Sequence, residues 1–382
     1  MERLTLCMIV RDEEALLARC LAAVAGVVDE VCVLDTGSGD ATVEIAREHG
    51  ARVAPFVWCD DFAAARNASL DLVPEAGGGW ILVLDADEAL VADGARERLL
   101  EFAARHPGEA GHLLVENLAD DGPASRAEVT RFFPAGPQWR YRGRIHEQLL
   151  HRGASPRRAP TGVVLRHDGY RAERLVARDK LARNEALLAA VLRDDPGDAW
   201  AAYHLGRTRA VAGRHAAALQ AFETAVAGCP DDAPWVAHLF ESAASSLRAL
   251  GRSRQALDWL GQVEPLFADR ADTCFLLALL ALDVGELDRA RAGFERCLEL
   301  AGTRPPGGES APAASTWAPA HNLGVMAEVT GDAATARACY ERALTFRPDH
   351  RESLEGLERL GVPAAAARTR PQTTAPGAAR PG

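Results

Sequence analysis

The chain has 382 residues, of which 48% are apolar and 25% are charged, as is typical of a globular protein. Single cores rarely grow beyond ~250–300 residues, so this length predicts two domains. The formal net charge of −11 at pH 7 argues against a general affinity for nucleic acid or for anionic membranes.

The cysteines and the N-terminus predict where the protein resides. Eight cysteines are scattered without a C-x-x-C pair, which indicates buried thiols in a reducing compartment rather than a zinc site. The first apolar run is short and is followed by charged residues 11–14, so it predicts a strand rather than a signal peptide. The longest apolar stretch, 274–282, is far shorter than the ~20 residues that span a bilayer. We therefore expect a soluble, cytoplasmic protein with no membrane span.

The first third of the chain alternates between two hydrophobic periodicities. Apolar runs predict strands over 4–10, 31–34, 52–57 and 80–84. Amphipathic spacing predicts helices over 13–25 and 42–49. This alternation predicts an α/β domain with a mostly parallel sheet. Ligands bind beyond the carboxyl ends of the strands in such sheets, and Asp35 and Asp85 both fall at these ends.

From about residue 171 the strand patterns give way to helical spacing and an internal repeat. Seven positions recur in the same relative order at two places. The first set is Leu205, Gly206, Gly213, Ala218, Phe222, Ala225 and Pro230, and the second is Leu323, Gly324, Gly331, Ala336, Tyr340, Ala343 and Pro348. Weaker copies surround Gly251 and Gly285. The pattern resembles the tetratricopeptide repeat, a helix–turn–helix unit in which small residues let two helices approach.

Residues 302–316 are rich in Pro, Gly and Ser and predict a loop that interrupts the array. The segment beyond 362 lacks an apolar period and predicts a disordered tail. The predicted domains are therefore an α/β domain over 1–172, helical repeats over 173–362 and a tail over 363–382.

Two carboxylates follow the fourth predicted strand, at Asp85 and Asp87, and Glu88 comes next. Hard oxygen ligands at this spacing suit Mg²⁺ or Mn²⁺ when a diphosphate supplies further ligands. Acidic loops are common, so this pattern alone is weak. Glu88 is a further candidate that such a shell does not require.

Two more segments supply candidate donor-binding groups. Asp35 precedes a tight polar turn over 36–40, which would suit a uracil or ribose contact but also an ordinary strand-to-helix turn. Arg66 follows an acidic turn in a helix of small residues. It could contact a nucleotide or a pyrophosphate, or form a salt bridge with Asp60 or Asp61.

The order and spacing of four stretches, 6–14, 33–38, 61–67 and 82–88, resemble the family 2 glycosyltransferases of the GT-A fold. The resemblance covers residues 3 to about 170. It implies nucleotide binding by Asp35 and Arg66 and metal coordination by Asp85 and Asp87, with a uridine diphosphate sugar as the expected donor. The fused repeats narrow it to glycosyltransferases with tetratricopeptide-like C-terminal helices, some of which modify peptides, including cysteine side chains of bacteriocin precursors.

Residues 126–166 carry nine arginines and only two acids, whereas residues 1–125 carry nine Arg and Lys residues against 24 acids. The basic stretch would suit phosphate binding, or it is a solvated loop. Its segments 131–133 and 141–148 resemble the part of this family that returns to the active site. Glu147 is the candidate base that would take the acceptor's proton, with Asp168 in reserve. His146 and His167 are candidates for a metal or phosphate contact.

Three functions fit these patterns. The first is a glycosyltransferase that recognises a peptide or protein acceptor through its helical array, and the second acts on a small molecule or saccharide while the array forms a homodimer. The third is a repeat-protein adaptor with an inactive transferase domain. Asp35, Arg66, Asp85, Asp87 and Glu147 are all present, which argues against the third function.

Overall fold

The computed structural model describes residues 2–73, 79–91, 93–119, 122–167, 169–230, 233–302 and 310–362. The chain divides into two compact units, of which the first runs through Leu239 and the second begins at Phe240. The first contains the α/β fold and the opening helices of the array, and the second contains the remaining helices. The predicted domain bounds at 172 and 362 stay predictions.

Ten strands belong to the first unit, and most are short. They are β1 Leu4–Val10, β2 Glu30–Asp35, β3 Arg52–Pro55, β4 Trp80–Val83, β5 Glu88–Leu90, β6 Ala110–Ala119, β7 Gly122–Pro134, β8 Trp139–Arg142, β9 Gln148–His151 and β10 Arg158–His167. Four helices connect or flank them: α1 Leu17–Val24, α2 Thr42–Glu48, α3 Phe62–Leu70 and α4 Ala95–Arg105. The predicted helix over 13–25 is Leu17–Val24 in the structure, and a turn precedes it in which the Leu17 N–H bonds to the Glu13 carbonyl at 2.9 Å.

Eight strands form one sheet in the order β3-β2-β1-β4-β7-β6-β10-β5, and β8 pairs with β9 in a separate hairpin. Strands β3, β2, β1 and β4 are mutually parallel. The sheet is mixed beyond them, because β7 is antiparallel to both β4 and β6. The carboxyl ends of β1, β2 and β4 therefore lie along one edge, as the alternation of strands and helices predicts.

Apolar side chains on the two faces of the sheet form two separate cores. One joins Leu4, Leu6 and Met8 to residues of α1 and α4. The other joins Cys7, Ile81 and Val83 to α3 and to the aromatic rings of the β8–β9 hairpin. Because both faces of β1 and β4 are covered, these strands read as continuous apolar runs rather than as alternating ones.

Helices follow the sheet. They are α5 Gly169–Asp194, α6 Ala199–Val211, α7 His215–Gly228, α8 Val236–Ala249, α9 Ser253–Val263, α10 Ala271–Asp283, α11 Leu287–Glu299, α12 Trp317–Val329, α13 Ala333–Phe346 and α14 Arg351–Arg359. Of these, α6 with α7, α10 with α11 and α12 with α13 pack against each other as neighbours.

The small residues of the predicted repeat do what the pattern implies. A Cβ on Gly206 would lie 2.4 Å from the Phe222 ring, and one on Gly324 would lie 2.7 Å from the Tyr340 ring. Each glycine thus lets an aromatic side chain of the next helix pack against its own helix backbone. The predicted helix–turn–helix repeat is confirmed.

Several predictions fall partly or wholly outside the described residues. The loop predicted over 302–316 contains a short 3-10 helix, Pro312–Ser315, but 303–309 are not described. The tail predicted over 363–382 lies outside the described residues. Within the described parts of the chain, no helix combines the length and the apolarity that a membrane crossing needs.

Candidate active site

The acidic residues after β4 form a tight turn at the carboxyl edge of the sheet. Leu84 and Ala86 are buried, which anchors the turn to the core between its charged neighbours. Glu88 opens β5 and is only 4% exposed. Its carboxylate accepts a hydrogen bond from the Asp85 N–H at 2.9 Å. Glu88 therefore holds the shape of the turn that presents Asp85 and Asp87.

Arg66 links the turn to the segment that contains Glu147. Helix α3 begins at an Asp61 cap that accepts from the Ala64 N–H at 2.9 Å, and this places Arg66 on a buried face of the helix. Its Nη2 donates to Asp85 Oδ1 at 2.7 Å, and its Nε donates to Glu147 Oε1 at 2.6 Å. One guanidinium thus fixes the positions of two carboxylates that are 62 residues apart in sequence.

Arg131 on β7 is a second cation of this cluster. Its Nη2 donates to Asp85 Oδ2 at 2.8 Å and to Glu88 Oε1 at 2.7 Å. Both oxygens of Asp85 are therefore bonded to arginines. The five charged side chains form one network, which we call the carboxylate–arginine cluster: Arg66, Asp85, Glu88, Arg131 and Glu147.

The cluster sets the ionisation of its members. Burial alone would raise the pKa of Asp85, but Arg131 and Arg66 together hold that pKa far below its ordinary value. Burial raises the pKa of Glu88, against an opposing effect of Arg131. Asp85 is consequently anionic at any physiological pH, and it keeps both arginines charged.

Asp87 faces a histidine at the end of strand β10. The Nε2 of His167 lies 2.9 Å from Asp87 Oδ2, and its Nδ1 lies 2.8 Å from Asn117 Oδ1. About a quarter of each of the Asp87 and His167 side chains is exposed. The pair arises because His167 ends β10 in register with both Glu88 of β5 and Asn117 of β6.

Asp35 ends β2 and folds the turn that follows it. Its carboxylate accepts from the N–H groups of Ser38 at 3.1 Å and Gly37 at 3.3 Å. The loop after β1 is joined to this turn, because Asp12 Oδ1 accepts from the Gly39 N–H at 2.7 Å. The two loops form one ordered rim at the carboxyl edge of β1 and β2.

Glu13 on this rim is a titratable group close to the aspartates. Burial raises its pKa to about 7, and the negative charges of Asp87 and Asp85 contribute to the shift. The rim therefore carries a carboxyl group that titrates near neutral pH beside the acidic turn.

Family models match two parts of the chain. The family model described as glycosyl transferase family 2 matches residues 5–158, and a tetratricopeptide repeat model matches residues 271–303. The chain carries a family 2 glycosyltransferase domain. The range matched by the glycosyltransferase model extends from β1 to β9 and contains all five residues of the carboxylate–arginine cluster. The range matched by the repeat model contains α10 and α11.

Two curated relatives are similar to about half of this chain. A TPR repeat-containing protein of Synechococcus elongatus is 38% identical over 214 residues, which are 54% of this chain and 52% of that protein. The SPbeta prophage-derived glycosyltransferase SunS of Bacillus subtilis is 24% identical over 208 residues, which are 52% of this chain and 47% of that protein. The chain therefore spans about half the length of these relatives.

Solved structures of tetratricopeptide repeat proteins are similar to about half of this chain. The crystal structure of YrrB, described as a TPR protein with an unusual peptide-binding site, is 21% identical to this chain. It covers 49% of this chain and 88% of its own, with a TM-score of 0.38.

The glycosyltransferase domain brings most of the predicted site residues to one edge of the sheet. Arg66, Asp85 and Glu147 share one cluster, and Asp87 pairs with His167 at the same turn. The ring of His146 stacks on His204 of α6. Asp168, the reserve base, lies outside the described residues. The assigned roles of all these residues stay predictions.

The sequence placed Arg131 in a stretch that resembles the family's return to the active site, but it gave no partner for Arg131 and no role to Asn117 or Glu13. Arg131 directly precedes Phe132, which is in register with Leu82 of β4, so it reaches the end of that strand. An arginine beside two apolar aromatic residues could have indicated a charged group next to the core. Its position at the acidic turn could not be predicted, because β7 and β4 pair across about 50 residues of chain. Asn117 is visible only through the register of β6 with β10.

Proposed function

We propose that the protein is an inverting, metal-dependent glycosyltransferase that moves a sugar from a uridine diphosphate donor to a peptide or protein side chain. The observation that carries this proposal is Arg66, which joins Asp85 of the acidic turn to Glu147 through two separate nitrogens. The acidic turn at the donor site and Glu147, which would deprotonate the acceptor, are thereby held next to each other.

The arginines support the binding of a diphosphate. Among the described residues, Nη1 of Arg66 and Nε of Arg131 are buried without a hydrogen-bond partner. A buried donor without an acceptor costs about 1–3 kcal/mol, so an anionic ligand that supplied one would be favoured. Asp35 and the rim around it would hold the nucleoside.

The metal would be held by Asp87 and His167. In the described parts of the chain, no group of three or more His, Cys, Asp and Glu residues is arranged to hold a metal ion. Two protein ligands nevertheless suit Mn²⁺ or Mg²⁺ when a diphosphate and water complete the shell, and Asn117 orients the imidazole as an outer partner. When bound, such an ion would neutralise charge that develops on the leaving diphosphate. Asp85, whose oxygens are bonded to arginines, would orient the turn.

Transfer would proceed as one displacement. The acceptor atom attacks the anomeric carbon and forms the new bond while the bond from that carbon to the phosphate oxygen breaks. The electron pair leaves with the nucleoside diphosphate, and the acceptor's proton passes to Glu147. Attack opposite the leaving group inverts the configuration.

A peptide acceptor is supported by the tetratricopeptide repeats, because arrays of this kind have concave surfaces that hold extended chains. The eight cysteines are scattered without a C-x-x-C pair, which supports a reducing, cytoplasmic location. A homodimer through the helices stays a prediction.

The donor test is release of UDP from a panel of UDP-sugars with Mn²⁺, Mg²⁺ or EDTA. We expect release that requires the metal and is lost in Asp87→Ala and His167→Ala, while Arg3→Met, an exposed charge change, retains it. Full activity of Asp87→Ala would refute the metal assignment. For the acceptor, peptides with a single Cys, Ser, Thr or Asn are offered beside oligosaccharides, and sugar on oligosaccharides alone would refute a peptide acceptor.

A further inference from the structure

The loop that leads to Glu147 is held at two points before the histidine. The Arg144 carbonyl accepts from the N–H of Phe62, the first residue of α3, at 2.8 Å. The next side chain, Ile145, is 7% exposed and packs in a core with Leu188 of α5 and Leu205 of α6. The loop is therefore anchored to the helical segment as well as to the sheet.

His146, the residue directly before Glu147, is held in an unusual backbone conformation. Its φ is +52°, in the left-handed region that few residues other than glycine adopt. The indole Nε1–H of Trp200 donates to the His146 carbonyl at 3.0 Å. The imidazole stacks on His204 with ring centroids 3.6 Å apart and an interplanar angle of 12°.

Both partners of His146 lie one turn apart on α6 and also contact each other. The Trp200 and His204 rings meet edge to face at 4.2 Å. Burial lowers the pKa of His146 to about 4, and it lowers the pKa of His204 well below its ordinary value. Both imidazoles are therefore neutral near pH 7, and they stack without repulsion between like charges.

A strained residue persists only where its surroundings determine its conformation, and such residues cluster at functional sites. Relaxation of His146 to an ordinary φ would turn the following residue away from its present direction. Glu147 would then lose its 2.6 Å contact with Arg66.

We propose that Trp200 and His204 of α6 are positioning residues that hold His146 in its left-handed conformation and thereby aim Glu147 at the acceptor. This inference rests on the proposed role of Glu147. On this proposal, helix α6 contributes to the geometry of the active site. The indole hydrogen bond and the ring stack are separate contacts, and each is expected to contribute.

The first experiment needs no substrate. Hydrogen–deuterium exchange is measured over residues 143–148 in the full chain for the wild type, Trp200→Phe and Trp235→Phe. Trp235 is the matched control, because its ring contacts Trp200 at 5.4 Å while the bond to His146 comes from Trp200. We expect faster exchange over 143–148 in Trp200→Phe only. Equal exchange in all three proteins would overturn the proposal.

The second experiment measures UDP release from UDP-glucose with Mn²⁺. Trp200→Phe should lower kcat roughly two- to tenfold, the effect of one hydrogen bond, with KM unchanged within about twofold. In a Glu147→Gln background the same substitution should have no further effect, because it acts through Glu147. An equal loss in both backgrounds would show a general structural role and overturn the proposal.

The outcomes separate the two proposals. If Glu147→Gln keeps full activity, the proposed base is wrong, whereas the exchange experiment still decides whether α6 holds the loop. If the wild type releases no UDP, the donor assignment fails and the exchange result stands alone. If Trp200→Phe neither alters exchange nor lowers kcat, the positioning role fails and the proposed function is untouched.

Discussion

Replacement of Arg66 by methionine removes the cation that connects Asp85 with Glu147. The side chain of Arg66 is 8% exposed, and it bonds to the two carboxylates at 2.7 and 2.6 Å. Methionine has a similar length but no charge, so the substitution leaves the carboxylates in place without this partner. Arg131 still bonds to Asp85, while Glu147 loses the cation that the ion pair supplied.

The magnitude follows from burial. Removal of one partner from a buried ion pair costs about 3–5 kcal/mol, because the remaining charge is left uncompensated. Since Arg131 keeps part of the compensation for Asp85, we expect a loss near the lower end, about 3 kcal/mol. Arg3→Met is the matched control: its side chain is 52% exposed and pairs with Glu30 at 2.8 Å. For such an exposed pair the expected loss is about 1 kcal/mol or less.

Native-state hydrogen exchange in urea measures this difference for the first unit alone, because amides in β1 and β4 exchange when that unit unfolds. The expected result is a lower free energy of unfolding in Arg66→Met than in Arg3→Met by about 2 kcal/mol. Equal losses in the two variants would refute the view that Arg66 is a buried bridge between carboxylates.

Three further outcomes are expected. The folded-state pKa of Glu13 is raised from 4.5 to about 7, so the contribution of this residue to stability falls as pH rises from about 4.5 to about 7 and is constant above. With EDTA present, the urea midpoint of the wild type should therefore fall relative to that of Glu13→Gln across this pH range. Midpoints that change with pH in parallel in the two proteins would contradict the raised pKa. Gly206→Ala should lower the free energy of unfolding by about 1–3 kcal/mol, because its Cβ would lie 2.4 Å from Phe222. Gly197→Ala should change it little, because the nearest atom to its Cβ would be 3.6 Å away, and equal losses in urea unfolding would contradict this reasoning. Asn117→Ala should weaken Mn²⁺ binding by roughly 10–100-fold, because Asn117 orients the His167 imidazole. Calorimetric titration with Mn²⁺ in the presence of UDP measures this affinity, and an affinity equal to that of the wild type would contradict the orienting role.

Much of the fold could be predicted from local patterns. The run Leu4–Val10 reads as a buried strand because both of its faces are covered, and the predicted bounds are those of β1. The position of β10 between β6 and β5 could not be read in this way, because these pairings join segments that are far apart in the chain. The helical period does not reveal that α1 begins only at Leu17, after a turn whose first N–H groups bond to another loop.

The site was predictable where its residues follow a strand directly. Asp35 and Asp85 end or follow parallel strands, and parallel strands share one carboxyl edge. Arg131 and Asn117 enter through antiparallel or distant neighbours, so their proximity to the acidic turn depends on register. The contact between His146 and His204 joins the loop before Glu147 to helix α6. It could not be predicted, because the two histidines are far apart in sequence.

The central claim is that Glu147 is the base of a glycosyl transfer at a donor site held by the acidic turn. The most direct measurement compares wild type and Glu147→Gln in two assays, UDP-glucose binding by calorimetry and turnover with Mn²⁺. We predict a donor affinity within about twofold of the wild type and a turnover lower by roughly 10²–10⁴-fold. Collapse of donor affinity, or turnover equal to that of the wild type, would contradict the claim.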